Sequence, residues 1–206
     1  MVDVIRFVYG LDSPDVLSVM SEVPREKFVP LSFSERAYED GPVDIGFGQT
    51  MSQPYTVAFM THLLGLKGCE KVLEVGTGSG YQAAVLSKLA REVYTVEIIE
   101  KLAQRAEKKL KKLGYLNVKV KRTSGEWGWE KHSPYDAILI TAGIKDEVPE
   151  ALFDQLKKGG VLVAPVGTGR GKIMTKYQKK SDGSIKKKKC SDSRFAFVPF
   201  IRENIK

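Results

Sequence analysis

One stretch limits what this chain can fold into more than any other. Lys71 to Tyr81 reads Lys-Val-Leu-Glu-Val-Gly-Thr-Gly-Ser-Gly-Tyr. Val72, Leu73 and Val75 form a short apolar run, the pattern of a strand buried on both faces of a parallel sheet. The run breaks into Gly76-Thr77-Gly78-Ser79-Gly80, after which Ala83, Ala84, Val85, Leu86 and Leu89 follow a helical pattern. Strand, glycine turn and helix in this order make a nucleotide-type site, because glycines let a ligand approach the backbone and a helix start offers unpaired N–H groups. A tight turn with no ligand is the plainer alternative. A dinucleotide fingerprint places glycine or alanine where this chain has Tyr81, and a P-loop needs Gly-Lys-Ser/Thr, which is absent. The expected ligand is therefore a nucleotide of another kind.

A second element supports a ligand. Glu92 to Glu97 suits a strand through Val93, Tyr94, Thr95 and Val96, and Glu97 stands at its end. It lies about 20 residues beyond the first glycine, where nucleotide-binding folds place a carboxylate on the ribose hydroxyls. A carboxylate accepts from two hydroxyl donors at once. The competing role is a cap on the following helix, expected from Ile99 to Leu113 with Leu102, Ala106, Leu110 and Leu113 on one face.

The rest of the chain alternates as a doubly wound sheet requires. Val118 and Val120 begin a third strand, Ala137 to Ile140 a fourth and Val161 to Val163 a fifth, with a helix over Pro149 to Leu156. Ser13-Pro14 reads as a helix start. At 206 residues the chain can bury a core without staples. No apolar run approaches the roughly 18 residues of a membrane span. Asp3, Arg6 and Asp12 interrupt the apolar N-terminus, so no signal peptide is expected there. Cys69 and Cys190 lie far apart, which suits a reducing cytoplasm. His62 and His132 have no ligand-type partners, so no metal is expected. Trp127 and Trp129 read as cover over an apolar edge.

The net charge of +8 concentrates late, in Lys172, Lys176, Lys179, Lys180 and Lys186 to Lys189, around the hairpin turn signal Ser181-Asp182-Gly183-Ser184. Two readings stand: a solvated hairpin whose lysines discourage edge pairing, or a nucleic-acid patch. Only Tyr177 interleaves with the charges, which favours the first.

Residues 43 to 54 read Val-Asp-Ile-Gly-Phe-Gly-Gln-Thr-Met-Ser-Gln-Pro, a loop of small hydroxyl and amide side chains leading into a helix from Pro54. Ser52 has no His or Asp partner to make it a nucleophile. It remains a hydrogen-bond donor over a site, or a helix cap.

With these pieces together the sequence resembles the protein-L-isoaspartate O-methyltransferases. The match runs in order through Val-Pro-Arg-Glu-Lys-Phe-Val-Pro (23 to 30), Ala-Tyr (37 to 38), Gly-Gln-Thr-Met-Ser-Gln-Pro (48 to 54) and Val-Leu-Glu-Val-Gly-Thr-Gly-Ser-Gly-Tyr (72 to 81). It continues through Leu-Gly-Tyr-x-Asn-Val (113 to 118), Pro-Tyr-Asp (134 to 136), Gly-Gly-Val-Leu-Val-Ala-Pro-Val-Gly (159 to 167) and Phe-Val-Pro (197 to 199). The 48 to 54 piece is the most specific, because generic methyltransferases lack it.

The resemblance implies an α/β fold. Its sheet is doubly wound, mostly parallel, of the S-adenosylmethionine-dependent methyltransferase type, with a C-terminal antiparallel hairpin. It implies a single domain over 1–206, divided into an N-terminal helical and substrate-loop segment (1–65), a cofactor core (66–168) and C-terminal strands (169–206). It implies methyl transfer from S-adenosylmethionine, with S-adenosylhomocysteine as product, to the α-carboxylate of isoaspartyl residues in damaged proteins and peptides. Glu74 precedes the glycines as in the first methyltransferase motif, and a carboxylate with backbone amides can hold the methionine end of such a cofactor. Carried over residue by residue, the cofactor contacts fall on Thr50, Met51, Gly76, Thr77, Gly78, Gly80, Tyr81, Glu97, Ser124 and Gly125. Ser52 matches the active-site serine, and Phe197 and Val198 join it in holding the substrate peptide. A cytoplasmic monomer is expected, with no membrane or nucleic-acid partner.

Two positions depart from the family pattern. Thr123-Ser124-Gly125 stands where Gly-Asp-Gly is usual, so a neutral Ser124 replaces the aspartate that faces the adenine amino group, with Glu126 expected in solvent. Thr141-Ala142-Gly143 stands where Ala-Ala-Pro is usual. Methylation of RNA or a small molecule is a second enzyme reading. A catalytically inactive S-adenosylmethionine-binding module that grips nucleic acid through the lysine hairpin is a third.

Overall fold

The computed structural model describes residues 1–169 and 171–201; Arg170 and residues 202–206, which belong to the expected C-terminal segment, lie outside them. Nine strands are described: β1 (Val43–Gly46), β2 (Gln49–Met51), β3 (Lys71–Val75), β4 (Glu92–Glu97), β5 (Val118–Arg122), β6 (Tyr135–Ile140), β7 (Leu156–Val166), β8 (Gly171–Lys179) and β9 (Ile185–Ala196). The α-helices are α1 (Pro14–Glu22), α2 (Pro54–Leu64), α3 (Tyr81–Ser87), α4 (Glu100–Lys112) and α5 (Glu150–Asp154).

Strands β3 to β9 form one seven-stranded sheet in the order β5-β4-β3-β6-β7-β8-β9. The pairs among β3 to β7 are parallel, while β7–β8 and β8–β9 are antiparallel. The chain winds outward from β3 through β4 to β5, then returns to β6 on the other side of β3. Such a reversal opens a crevice at the carboxyl ends of the two central strands, where open α/β sheets bind ligands.

Alternation along β3 divides the core. Val72 faces the layer holding Leu17, Met20, Met60, Leu86, Leu102 and Leu110, and Leu73 and Val75 face the layer holding Leu152 and Leu156. In α4, Leu102, Ala106 and Leu110 recur every fourth residue and are all buried, with lysines on the outer face. Each fully buried leucine contributes about 1.5–3 kcal/mol against an exposed one. Gly65 ends α2 in the left-handed conformation, its N–H on the His62 carbonyl at 3.1 Å.

Three local outcomes differ from the sequence expectation. Residues 43 to 54 are not a plain loop: β1 and β2 pair as an antiparallel hairpin, Val43 opposite Met51. The period-two burial of Val43, Ile45 and Met51 drives that pairing. The fifth strand is much longer than three residues: β7 pairs with β6 from Leu156 and with β8 through Val166. The late lysines are not all solvated. Lys172 Nζ donates to the Gly167 carbonyl at 2.5 Å, Lys176 Nζ to Leu63 at 2.7 Å and Lys179 Nζ to Phe153 at 2.7 Å. Lys186 to Lys189 remain exposed along edge strand β9, and Lys119 and Lys121 on the other edge, β5. Both edges therefore resist pairing with another sheet.

Candidate active site

A cleft of about 800 Å³, partly open to solvent, lies at the β3–β6 crevice. The glycine turn, the end of β4, the β1–β2 hairpin and the segment 198–201 line it. The turn is held from below. Gly76 N–H and Thr77 N–H both donate to the Val96 carbonyl, at 2.9 and 3.2 Å. Gly76 has φ +102°, and a Cβ there would meet Thr141 Oγ1 at 2.4 Å. Thr141 Oγ1 donates toward the Gly76 carbonyl at 2.7 Å and lies 3.0 Å from that of Val75. A side chain at position 76 therefore fails on both conformation and space.

Glu97 is 6% exposed and its carboxylate lines the cleft. Oε2 accepts from Gly78 N–H at 2.8 Å and Oε1 from Ile99 N–H at 2.9 Å. Each oxygen keeps one acceptor site for a ligand hydroxyl. The Ile99 bond ties Glu97 to the residue before α4, but no side chain caps that helix, so the competing cap role is not the one Glu97 plays.

The other wall is the hairpin. Thr50, Met51 and Ser52 line the cleft. Ser52 is not a side-chain cap on α2, whose N-cap is Gln53 and carries no side-chain cap bond. The Ser52 carbonyl accepts from Arg25 Nη2 at 2.6 Å. Arg25 Nε reaches the Ala37 carbonyl at 2.6 Å, and its guanidinium carbon stands 4.7 Å from the Tyr81 ring centre. Burial pushes the Tyr81 phenol up to about 12, with Arg25 working against the shift.

Val198 closes the cleft from the C-terminal side. Gly143 N–H donates to the Val198 carbonyl at 2.8 Å, and Phe200 N–H to the Gly143 carbonyl at 3.1 Å. A proline at 143 has no N–H for this bond. The departure from Ala-Ala-Pro thus ties the 198–200 segment to the exit of β6.

The structure brings together Thr50, Met51, Ser52, Gly76, Thr77, Gly78, Tyr81, Glu97, Gly125 and Val198 around one cleft. It sets four other expected residues apart. Gly80, at φ +90°, faces α4, where a Cβ would meet Leu110 at 3.3 Å. Ser124 is fully buried and does not line the cleft; its hydroxyl donates to Glu126 Oε1 at 3.2 Å. Glu126 is accordingly half-buried, not solvated. Phe197 lines a neighbouring cleft with Lys172 and Glu147, across the wall made by Pro199 and Phe200. Glu74 is fully buried within β3 and does not reach the ligand space. It accepts from Thr95 Oγ1 at 2.6 Å, and Thr95 lies 2.6 Å from Thr77 Oγ1. Burial pushes the Glu74 carboxyl up to about 8, Thr95 opposing and Glu97 adding to the shift. Ile98, Ile99, Gln82 and Thr141 also line the cleft and were missed. The apolar pair directly after Glu97 was the available signal.

The chemistry of the lining fits a nucleoside without phosphates. Glu97 is the one charged side chain among the described lining residues, and it is an anion. Phosphates would find no cation there, whereas a ribose diol and a positively charged sulfur meet a compatible wall.

The sequence profile of the family described as Protein-L-isoaspartate(D-aspartate) O-methyltransferase matches residues 4–204. The chain belongs to the protein-L-isoaspartate O-methyltransferase family. The protein of that name from Geobacter metallireducens is 48% identical over 186 residues, covering 90% of this chain and 86% of its own. The Gloeobacter violaceus protein is 45% identical over 194 residues, covering 94% and 93%. A solved structure of a protein-L-isoaspartate O-methyltransferase superposes with TM-score 0.78 at 32% identity, over 97% of this chain and 65% of that one. A Plasmodium falciparum structure described as a complex with S-adenosyl-L-homocysteine shares the fold, with TM-score 0.83 at 24% identity over 97% of this chain and 96% of that one. As a protein-L-isoaspartate O-methyltransferase, the chain is a methyl-transferring enzyme of the isoaspartate repair class.

Proposed function

We propose that the cleft divides this activity between two walls. The glycine turn and Glu97 hold S-adenosylmethionine, and the Ser52 hairpin with Val198 holds the isoaspartyl peptide. Bound there, S-adenosylmethionine supplies a methyl group on a positively charged sulfur. Gly76, Thr77, Gly78, Tyr81 and Gly125 border its space, and Glu97 accepts from the ribose hydroxyls. The substrate α-carboxylate, with an unperturbed pKa of about 4, is ionised near neutral pH and needs no general base. This suits a cleft whose described lining contains no histidine or lysine. The residues must hold the carboxylate oxygen about 3 to 3.5 Å from the reacting carbon and exclude water. The Ser52 hydroxyl orients the carboxylate with one charge-assisted hydrogen bond. Val198, its carbonyl already engaged by Gly143, presents a fixed backbone to the peptide.

The observation that carries this reading is the pairing, around one cleft, of a lone carboxylate wall with the Gly48 to Pro54 hairpin. Within a single domain, 1–65 supplies the hairpin, 66–168 the cofactor core and 169–206 the closing strands. The enzyme works as a cytoplasmic monomer on isoaspartyl proteins and peptides, without nucleic acid. Its two free thiols and the inward reach of Lys172, Lys176 and Lys179 support that setting. The test is a labelled-methyl assay with an isoaspartyl peptide beside its aspartyl twin. Label should enter the first and hardly the second. Equal labelling of both, or labelling of RNA alone, sinks the assignment.

A further inference from the structure

Arg25 is fully buried, does not line the cleft, and touches the machinery at two points. Its Nη2 holds the Ser52 carbonyl at 2.6 Å and its guanidinium carbon lies 4.7 Å from the Tyr81 ring centre. Its hydrogen-bond partners are the Ala37 and Ser52 carbonyls, and Nη1 has none among the described residues. No carboxylate pairs with it there. A guanidinium does not shed its proton in a protein, so a net positive charge sits directly behind Ser52. Burying an uncompensated charge costs several kcal/mol. Tying two carbonyls together requires donors, not a charge, and a neutral amide would supply donors without that penalty. Inside the cleft, meanwhile, the one charged side chain among the described lining residues is the Glu97 carboxylate. An anionic substrate arriving at Ser52 would be repelled by that charge alone.

We propose that Arg25 is an electrostatic positioning residue, which fixes the Ser52 backbone and selects the substrate carboxylate through a positive charge the substrate never touches. The proposal rests on the reading that the carboxylate docks at Ser52. In the reaction a carboxylate oxygen forms a bond to the methyl carbon while the carbon–sulfur bond breaks, and sulfur keeps the electron pair. An anion and a cation become two neutral groups. The transition state therefore carries less charge than the bound reactants, and a fixed positive charge favours the bound carboxylate more than the transition state. Its loss raises KM while kcat holds or rises, because the ground state loses more than the transition state. The same charge disfavours the sulfonium of S-adenosylmethionine but not the neutral sulfur of S-adenosylhomocysteine. Their affinity ratio is thus a readout that needs no turnover.

The test compares wild type, Arg25→Met and Arg25→Lys by calorimetric titration of both nucleosides and by steady-state kinetics. For Arg25→Met the expected KM for an isoaspartyl peptide rises roughly tenfold with kcat held within about threefold, the scale of one charge acting across a protein wall. S-adenosylmethionine should tighten about threefold relative to S-adenosylhomocysteine, and Arg25→Lys should return that ratio to the wild-type value. The idea is overturned if both nucleosides weaken in parallel and kcat falls at constant KM, because Arg25 is then a strut. A wild-type arm removes dependence on folding: an isoaspartyl peptide with an α-carboxamide should compete at least about tenfold more weakly than the carboxylate peptide, and equal competition overturns the proposal. Failure of wild type to methylate the isoaspartyl peptide at all would instead break the functional reading, before any variant is made.

Discussion

Each wall of the cleft stands on one fully buried ionisable side chain that never enters it. Beneath the cofactor wall is Glu74, in the middle of β3, and behind the substrate wall is Arg25. Neither has an opposite charge as hydrogen-bond partner among the described residues. Glu74 Oε1 and Arg25 Nη1 are both buried with no hydrogen bond among the described residues. The two respond differently to burial. A carboxyl can neutralise itself by taking a proton, and Glu74, pushed up to about 8, does so at neutral pH. A guanidinium has no such route. The cofactor wall therefore rests on a nearly neutral group, while the substrate wall keeps its charge. The lesson is that a buried acid serves as packing with a hydrogen bond, whereas a buried arginine leaves a field.

The largest test of that contrast is pH. Glu74 holds a proton in the folded protein and loses it near pH 4 when unfolded. The unfolded state then binds fewer protons, so stability falls as pH rises. The window runs from the unfolded value, about 4, to the folded value, about 8. The slope from this one group is at most about 1.4 kcal/mol per pH unit. Glu74→Gln keeps the neutral shape and should flatten that part of the profile, gaining on wild type as pH approaches 8. Urea denaturation at stepped pH checks it. Parallel profiles for the two proteins would mean that Glu74 is ionised in the fold and that both walls carry charge.

Glu97→Ala comes next. It removes the acceptor for Gly78 N–H, for Ile99 N–H and for the ribose, so the turn loosens as the contact disappears. S-adenosylmethionine and S-adenosylhomocysteine should both weaken by about 2 to 4 kcal/mol, the scale of one or two hydrogen bonds to a charged group. S-adenosylmethionine should lose somewhat more, because its sulfonium also loses the attraction of the carboxylate, a split opposite in sense to the one expected at Arg25. Calorimetric titration with unchanged affinities removes Glu97 from the site.

Ser52→Ala should cost roughly 1.5 to 3 kcal/mol of transition-state stabilisation, with little change in nucleoside affinity. The structure leaves the hydroxyl out of capping, so the melting temperature should hardly move. A lower melting temperature with full activity per folded molecule would return Ser52 to a structural role.

The two walls also differed in how far the sequence revealed them. Most of the cofactor wall, from Gly76 to Glu97, is assembled within about thirty residues of one strand–turn–helix–strand unit, the size of a single βαβ motif, and Gly125 joins it from the turn after β5. The glycines, Glu97 and the strand limits followed from local pattern. The substrate wall is assembled over long range. Arg25 reaches partners 12 and 27 residues away, and Val198 meets Gly143 through backbone atoms that no side-chain pattern encodes. Resemblance named Ser52 and Val198, but nothing in the motif told what Arg25 would touch. The hairpin at 43 to 54 was hidden by its three glycine and phenylalanine turn residues, although Val43 and Ile45 already alternated. Gly80 and Ser124 show the limit of transfer by motif: both sit in the right loops, yet one faces a helix and the other the half-buried Glu126 carboxylate.

Ser124 gives the smallest expected effect and the finest test of that limit. From sequence, a carboxylate at 124 should accept from the adenine amino group better than a hydroxyl, by about 0.5 to 1.5 kcal/mol. In the fold the Ser124 side chain is fully buried and donates to Glu126 Oε1 at 3.2 Å, while Gly125 is the residue that borders the cleft. Ser124→Asp would set a second carboxylate against Glu126, and like charges at a buried site raise each other's pKa and cost stability. The expected outcome is S-adenosylhomocysteine affinity within about twofold of wild type, together with a lower melting temperature at neutral pH that recovers as pH is lowered. Adding Glu126→Gln removes the repulsion and should restore the melting temperature without tightening the nucleoside. If Ser124→Asp alone tightens S-adenosylhomocysteine severalfold, the side chain has turned into the cleft, the motif position outweighs the packing, and the 124–126 turn joins the locally legible wall.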